Sequence, residues 1–115
     1  MMIKGYAKYR SRKTVVDGIE FDSKKEAARY QELKLLEKAG KIKDLELQKE
    51  YELIPKFKKN NKTYRKTIYK ADFSYFDIEA NKYIVEDVKG FKTDVYKLKK
   101  KLFEYRYTDL EIEEV

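Results

Sequence analysis

The 115-residue chain contains no histidine and no cysteine. Without cysteine it can form no disulfide bond, no thiolate zinc site and no cysteine nucleophile, and this composition fits a cytosolic protein. Without histidine there is no Ser-His-Asp triad, no imidazole metal ligand and no histidine general base. Any catalysis must therefore use carboxylates, lysine, tyrosine or hydroxyl groups.

Glycine and long apolar runs are also scarce. The four glycines are too dispersed to form a phosphate-binding loop, so the sequence argues against an NTPase or a dinucleotide-dependent enzyme. No apolar run approaches the length that spans a membrane, and the first residues lack the apolar region of a signal peptide. We therefore expect a soluble protein of the cytoplasm.

Basic residues dominate the charged part of the composition. Lysine and arginine number 28 against 21 acidic residues, for a formal net charge of +7. A hydrophobic fraction of 42% with 11 tyrosines and 6 phenylalanines is ample for folding. The length predicts a single domain over residues 1–115 that buries roughly two-thirds of its unfolded surface.

The first part of the chain predicts a basic arm, a hairpin and a helix. Residues 1–13 carry five basic side chains and no acid, and show no clear periodicity. The Asp17-Gly18 pair between apolar residues predicts a short hairpin over 15–21. Ser23-Lys24-Lys25-Glu26 has the form of a capping box and predicts a helix that stops at Gly40.

The rest of the chain predicts three strands, a second helix capped by Thr93 or Asp94, and a short final strand. The predicted strands are Leu45–Leu53, which ends before Pro55, then Thr63–Asp77, Tyr83–Lys89 and Leu110–Val115. The order after the hairpin is α-β-β-β-α-β. This order predicts an α/β or α+β fold with a mixed central sheet flanked by helices.

Asp72, Asp87 and Lys89 form the candidate site. Side chains two apart on a strand point to the same face, so Asp87 and Lys89 are expected to stand side by side. If that strand pairs with the one carrying Asp72, two carboxylates and an ammonium converge. Such a group can hold a divalent metal and activate water for phosphodiester hydrolysis, so in a basic chain it suggests a nuclease.

Strand phase separates Glu86 from this site. Glu86 is out of phase with Lys89, so it is expected to face the other side, as a surface or helix-facing partner of a nearby lysine.

For Lys89 and Asp72, interpretations without catalysis stay open. Lys89 and Asp87 can form an ordinary ion pair worth roughly 0 to 1 kcal/mol. Asp72, which is unusual inside a strand, can form a salt bridge with Lys70 or Lys89.

Basic stretches flank the carboxylates along the sequence. Residues 56–70 contain seven basic residues interleaved with aromatic ones and no acid, which suits contact with phosphates and exposed bases. For any single lysine, an ordinary solvated surface is the better interpretation. The predicted nucleic-acid contacts are Arg10, Arg12, Lys58, Lys59, Arg65, Lys66, Lys92, Lys97 and Lys100.

The order of these elements resembles the core of the restriction-endonuclease-like PD-(D/E)XK nuclease superfamily from about Phe21 to Val115. Asp72 lies on the second long strand, Asp87-Val88-Lys89 on the third and Glu26 in the first helix. Tyr9-Arg10-Ser11, 21–27 and 85–91 also look like a phage and prophage family of unknown function that is assigned to that superfamily. The host cytoplasm is then the expected compartment.

The resemblance implies a role for each site residue. Asp72 and Asp87 would be metal ligands, with the Val88 carbonyl as a third oxygen, and Lys89 would orient water or stabilise charge on the phosphate. Glu26 would complete the site or hold a water. Its place in the capping box offers an alternative that stabilises the helix by about 1 kcal/mol without any chemistry. Oxygen ligands favour Mg²⁺ or Mn²⁺.

The expected function is therefore a Mg²⁺-dependent endonuclease that acts on DNA, with RNA not excluded. The phage-type resemblance and the lack of a recognisable base-reading module favour a structure-selective role on branched or junction DNA in phage recombination or replication, and cutting two strands would require a homodimer. The alternatives are a nucleic-acid-binding protein without activity and a phage accessory protein whose basic faces bind an acidic partner.

Overall fold

The structure, a computed structural model, describes residues 13–115. The predicted basic arm, with Arg10 and Arg12, lies outside the described residues apart from Lys13. Among residues 13–115 no helix is long and apolar enough to cross a membrane. The elements are β1 (Thr14–Val16), β2 (Ile19–Phe21), α1 (Lys24–Lys38), β3 (Ile42–Leu47), β4 (Glu50–Ile54), β5 (Phe57–Lys59), β6 (Lys62–Tyr64), β7 (Thr67–Lys70), β8 (Phe73–Asp77), β9 (Lys82–Asp87), α2 (Asp94–Arg106) and β10 (Ile112–Glu114).

The fold is α+β, with a mixed four-stranded central sheet in the order β10-β9-β8-β3. β10 pairs with β9 in parallel, and the other neighbours are antiparallel. The helices and the strands of the central sheet follow the predicted α-β-β-β-α-β order along the chain, as α1, β3, β8, β9, α2 and β10. Four more strands, β4 to β7, lie between β3 and β8 and were not predicted as separate elements. The predicted hairpin is also present, because Asp17 and Gly18 both adopt positive φ in the turn between β1 and β2.

Local signals place both ends of α1 where the sequence predicts them. The Ser23 hydroxyl accepts a hydrogen bond from the Glu26 backbone N–H at 3.1 Å. At the other end Gly40 takes a φ of +76°, and the N–H groups of Gly40 and Lys41 donate to carbonyls of the last turn. This pattern is the Schellman motif, which needs a left-handed residue and therefore favours glycine.

The long predicted strands are broken in the structure. The stretch 45–53 spans the end of β3 and most of β4, and the stretch 63–77 contains most of β6 with β7 and β8. The breaks lie side by side, because the Gln48 N–H donates to the Asp72 carbonyl and the Ala71 N–H donates to the Lys49 carbonyl. At this point β4 and β7 leave the central sheet together and form a separate antiparallel pair.

The central sheet separates two apolar cores. The core on the α1 side contains Phe21, Ala27, Tyr30, Leu33, Ile42, Phe73, Tyr75 and Ile84. The core on the α2 side contains Tyr51, Leu53, Tyr69, Ala71, Val85, Tyr96, Phe103 and Ile112. Strand β9 contributes to both because its side chains alternate, with Ile84 on one face and Val85 on the other.

The same alternation sends Glu86 to the α1 side. Its carboxylate is buried, and it accepts hydrogen bonds from Arg29 at 2.9 and 2.6 Å and from the Tyr75 hydroxyl at 2.5 Å. The expectation that Glu86 faces away from the site agrees with this geometry, but its partner is an arginine of α1 rather than a lysine. The Arg29–Glu86 pair therefore ties the first helix to the middle of the sheet.

Removing Arg29 should destabilise the protein strongly. Among residues 13–115, Arg29→Met leaves the buried Glu86 carboxylate with Tyr75 as its hydrogen-bond partner, and breaking a buried ion pair costs about 3 kcal/mol. Lys34→Met is the matched control, because Lys34 pairs with Glu37 on an exposed part of the same helix. Urea denaturation should show a large loss in the free energy of unfolding only for Arg29→Met. Equal losses in the two variants would contradict a stabilising role of the Arg29–Glu86 pair.

Candidate active site

Strand register brings Asp72 and Asp87 together. Phe73 pairs with Glu86 across β8 and β9, so the next residues outward, Asp72 and Asp87, stand opposite each other on the other face of the sheet. Asp72 lies in the bend just before β8, not inside a strand as the sequence predicts. There its Oδ2 accepts a hydrogen bond of 2.7 Å from the Val88 N–H.

Lys89 reaches the same carboxylate pair. Its Nζ lies 3.0 Å from Asp87 Oδ1 and 3.9 Å from the centroid of the Tyr96 ring. The other oxygen, Asp87 Oδ2, accepts a hydrogen bond of 2.5 Å from the Tyr69 hydroxyl. The ion pair that the sequence offers as an alternative is therefore present, and it places a mostly buried ammonium beside the two carboxylates. Asp72 itself makes no ion pair with Lys70 or Lys89.

Glu26, in the first turn of α1, joins Asp72 and Asp87 in an acidic group of three carboxylates. Its side chain is buried, and its Oε2 accepts a hydrogen bond of 3.4 Å from Gln48 Nε2. Burial, and after it the negative charge of Asp72, raises the pKa of Glu26 to about 7. Only the Ser23 half of the predicted capping box is found, so the Glu26 carboxylate belongs to the acidic group instead of the helix cap.

The carboxylates also disfavour one another's ionisation. Burial raises the pKa of Asp72 to about 6, and the nearby charge of Asp87 acts in the same direction. The Val88 N–H and the Lys89 ammonium oppose this shift but do not cancel it. The site therefore holds its negative charge at a cost in free energy at neutral pH, and a bound cation would relieve this cost.

An open cavity of about 780 Å³ gives access to these side chains. Its charged lining contains as many lysines as carboxylates: Lys13, Lys25, Lys70 and Lys89, with Asp22, Glu26, Asp72 and Asp87. Val88, the predicted third oxygen ligand, lines it as well. An anionic polymer can approach through the lysines, and a cation can bind among the acids.

The acidic group is a weak metal site when its side chains are considered alone. Within residues 13–115, no three Asp, Glu, His or Cys side chains form a group that could hold a metal ion. Lys89 and Tyr69 already contact both oxygens of Asp87. What the site offers a hard cation is the facing pair Asp72 and Asp87, with the ligand role of Glu26 still a prediction.

Four side chains at the site are not among the site residues that the sequence predicts, although it offers Lys70 as an ion-pair partner of Asp72. Gln48 and Tyr69 contact Glu26 and Asp87, and both come from segments at the edge of the central sheet. Lys25 donates to the Lys89 carbonyl at 3.0 Å, and Lys70 lines the cavity. The contacts of Gln48 and Tyr69 depend on how the β4 and β7 pair leaves the sheet, which no local pattern predicts.

The predicted nucleic-acid contacts fall into two groups in the structure. Lys58, Lys59, Arg65 and Lys66 are exposed on and beside the β5 and β6 hairpin. Lys92, Lys97 and Lys100 line a separate cavity against α2. There Glu114 lies 2.8 Å from Lys92 and 3.6 Å from Lys100, and the hydrogen bond from Lys92 lowers the pKa of Glu114 to about 2. The positive charge of this second group is therefore partly neutralised.

Replacing Glu26 by glutamine should change the pH dependence of stability. The pKa of Glu26 is raised in the folded protein from 4.5 to about 7, so folded protein binds the proton more tightly than unfolded protein. Stability is then lost as the pH rises through this window. Glu26→Gln should be more stable than the parent by about 1 to 3 kcal/mol near pH 8, with little difference near pH 4.

Urea denaturation across this pH range measures the effect. Glu79→Gln, which changes an exposed residue in the turn after β8, is the matched control. A Glu26→Gln variant that is less stable than the parent near pH 8 would contradict the raised pKa of Glu26 in the folded protein.

Comparison with known proteins adds a family without an assigned activity. A family model described as a protein of unknown function, DUF1064, matches residues 6–115. No curated protein and no solved structure matches the chain. The match agrees with the resemblance to a family of unknown function, and it does not bear on the PD-(D/E)XK superfamily.

Proposed function

The chain belongs to the DUF1064 family, and we propose that it is a metal-dependent endonuclease of the PD-(D/E)XK type that hydrolyses phosphodiester bonds in DNA. One observation carries the proposal. Asp72 and Asp87 face each other where β8 and β9 meet the open cavity, and Lys89 lies 3.0 Å from Asp87. An acidic pair and an ammonium in a cavity lined by lysines suit a phosphate group that must be bound beside a cation.

The donor set fits Mg²⁺ or Mn²⁺ better than zinc. Asp72 and Asp87 would hold the ion with oxygen atoms only, since the chain has no histidine or cysteine to offer. The raised pKa of Asp72 indicates negative charge that lacks enough compensation inside the protein. When bound, such an ion stabilises charge on a phosphate and acidifies water.

Lys89 and Glu26 would then do the remaining work. Contacts with Asp87 and with the Tyr96 ring hold the Lys89 ammonium in position, so it can stabilise charge that develops on the phosphate without reorganising. Glu26, with a pKa of about 7, can accept a proton from water near neutral pH. Gln48 fixes the orientation of that carboxylate through Oε2.

One such site can cut one strand at a time. Cutting both strands of a duplex, or resolving a branched junction, would therefore need two copies of the chain. We propose a structure-selective activity of this kind, in phage recombination or replication, since the described residues contain no recognisable base-reading module.

A second candidate function is nucleic-acid binding without cleavage. It is favoured by the contacts that Lys89 and Tyr69 make with both oxygens of Asp87, because these contacts satisfy the carboxylate without any metal. Such a protein would bind DNA with a steep salt dependence and leave it intact in every divalent cation.

Cleavage assays on site variants test the proposal. We expect Asp72→Asn and Lys89→Ala each to abolish cleavage of supercoiled or branched DNA in Mg²⁺ or Mn²⁺, a loss of at least about 100-fold, because each removes a charge needed at the phosphate. DNA binding should stay nearly unchanged. Glu79→Gln is the control for Asp72, and Lys82→Ala, about 17 Å from Asp87 along the same strand, is the control for Lys89.

The outcomes separate the two candidate functions. Cleavage by the parent that only the site variants lose supports the nuclease. Binding without cleavage in either metal defeats it in favour of the second candidate. Full activity in a purified site variant would defeat the residue assignment.

Thermal unfolding tests metal binding without relying on activity. A ligand that binds only the folded protein raises the melting temperature, and a concentration of about 100 times Kd adds about 2.7 kcal/mol of stability. We expect Mn²⁺ to raise the melting temperature near pH 8 and to do so much less near pH 5, because protons compete for Asp72, whose pKa is about 6.

Asp72→Asn should lose the Mn²⁺ response, and Glu79→Gln should keep it. A response that Asp72→Asn retains in full would place the metal elsewhere in the protein.

A further inference from the structure

The β5 and β6 hairpin stands apart from the rest of the protein. Within residues 13–115 its two strands pair only with each other, and every residue of both strands is exposed. An isolated two-stranded hairpin is marginally stable in water. Two features compensate for this here. Asn60 and Asn61 both take positive φ and make a tight turn, and Phe57 stacks on Tyr64 with ring centroids 4.7 Å apart.

The hairpin carries positive charge with no acid to balance it. Residues 55–71 contain seven basic residues and no aspartate or glutamate. Lys59 lies directly opposite Lys62 next to the turn, and like charges in this position are destabilising. Among residues 13–115, no ion pair involves either lysine. Lysines on strand edges also discourage aggregation, but that role does not require two of them to face each other.

We propose that this hairpin is a DNA-binding arm that lies in the major groove of double-stranded DNA beside the active-site cavity. The inference deepens the proposed function and rests on it for the kind of polymer that is bound. The phosphates on both sides of the groove would neutralise Lys58, Lys59 and Lys62, none of which forms an ion pair among residues 13–115.

The aromatic pair argues for duplex DNA over single strands. Proteins that bind single strands present free aromatic faces on which bases stack. Here Phe57 and Tyr64 stack on each other with their planes only 11° apart, and the Lys62 ammonium lies 5.2 Å from the centroid of the Tyr64 ring. Each ring therefore has one face against the other, which holds the two strands together and leaves less free ring surface than a platform for stacked bases offers. Base contacts by these rings stay a prediction.

Dimensions fit the groove of B-form DNA. Two strands lie about 4.8 Å apart, and the major groove, about 12 Å wide, admits a two-stranded ribbon with its side chains. The deep and narrow major groove of A-form RNA does not admit it. The hairpin would therefore discriminate between the two duplexes by shape.

The chain path connects the hairpin to the site. Lys70 at the end of β7 lines the active-site cavity, and Asn61 in the turn lies nine residues earlier. Nine extended residues span at most about 30 Å, close to one helical turn of DNA, which is about 34 Å. The arm can thus hold the duplex about one turn or less from the phosphate that enters the cavity, while contributing no group to the reaction.

Binding measured without metal tests the arm. The variant Lys58→Gln/Lys59→Gln/Lys62→Gln removes three charges and the repulsion at the turn, so it should keep the hairpin folded. The matched control, Lys38→Gln/Lys41→Gln/Lys82→Gln, removes three charges from exposed positions at the opposite end of the sheet. Fluorescence anisotropy in a chelator would give Kd for labelled duplex DNA, single-stranded DNA and duplex RNA at several salt concentrations.

We expect the parent to bind duplex DNA more tightly than either other polymer. The hairpin variant should lose about 10-fold or more in affinity. Its negative slope of log K against log salt should become shallower by about 2 to 3. A loss of affinity that matches that of the control variant, or a preference for single strands or duplex RNA, would overturn the proposal that the hairpin binds duplex DNA. Circular dichroism and melting temperature check that both variants fold.

The two proposals fail in distinguishable ways. If the hairpin variant loses duplex binding while the parent cleaves nothing in Mg²⁺ or Mn²⁺, the result supports DNA binding by the hairpin and contradicts the nuclease activity. If the parent cleaves DNA and the hairpin variant binds and cleaves it as the control variant does, the result supports the nuclease activity and contradicts DNA binding by the hairpin.

Discussion

The alternation of side chains along β9 is the constraint on which the candidate site depends. Glu86 points to the α1 side and is held there by Arg29, so Asp87 must point to the other side, where Asp72 stands opposite it. A slip of one residue in register would exchange the two carboxylates and bury the wrong one beside the helix. The Arg29–Glu86 ion pair therefore secures the geometry of the site from the opposite face of the sheet.

The site itself works against the stability of the fold. Glu26 and Asp72 both have raised pKa values, because burial and mutual repulsion disfavour their charged forms. Cores on both faces of the sheet, together with the buried ion pair, keep the surrounding elements in place. Arrangements of this kind are common at functional sites, where charged groups are held close together for binding or catalysis at a cost in stability.

The lysines of this basic chain serve different purposes. Lys89 is fixed by Asp87 and by an aromatic ring, and Lys92 is paired with Glu114, so both are integrated into the protein. Those of the β5 and β6 hairpin form no ion pair with an acid among residues 13–115, and two of them, Lys59 and Lys62, face each other. The net charge of +7 is thus a poor guide to where an anion binds, because only the structure separates neutralised from uncompensated charge.

The sequence by itself determined the two helices, the Ser23 cap and Gly40 stop of α1, the first hairpin, the order of the central strands and the phase that separates Glu86 from Asp87. These features follow from local signals such as the serine N-cap of α1, the Gly40 stop and alternation along a strand. Tertiary structure decided where the long strands break, because β4 and β7 leave the sheet through hydrogen bonds between distant segments. It also decided that Gln48 and Tyr69 join the site, since contacts between residues far apart in sequence leave no local pattern.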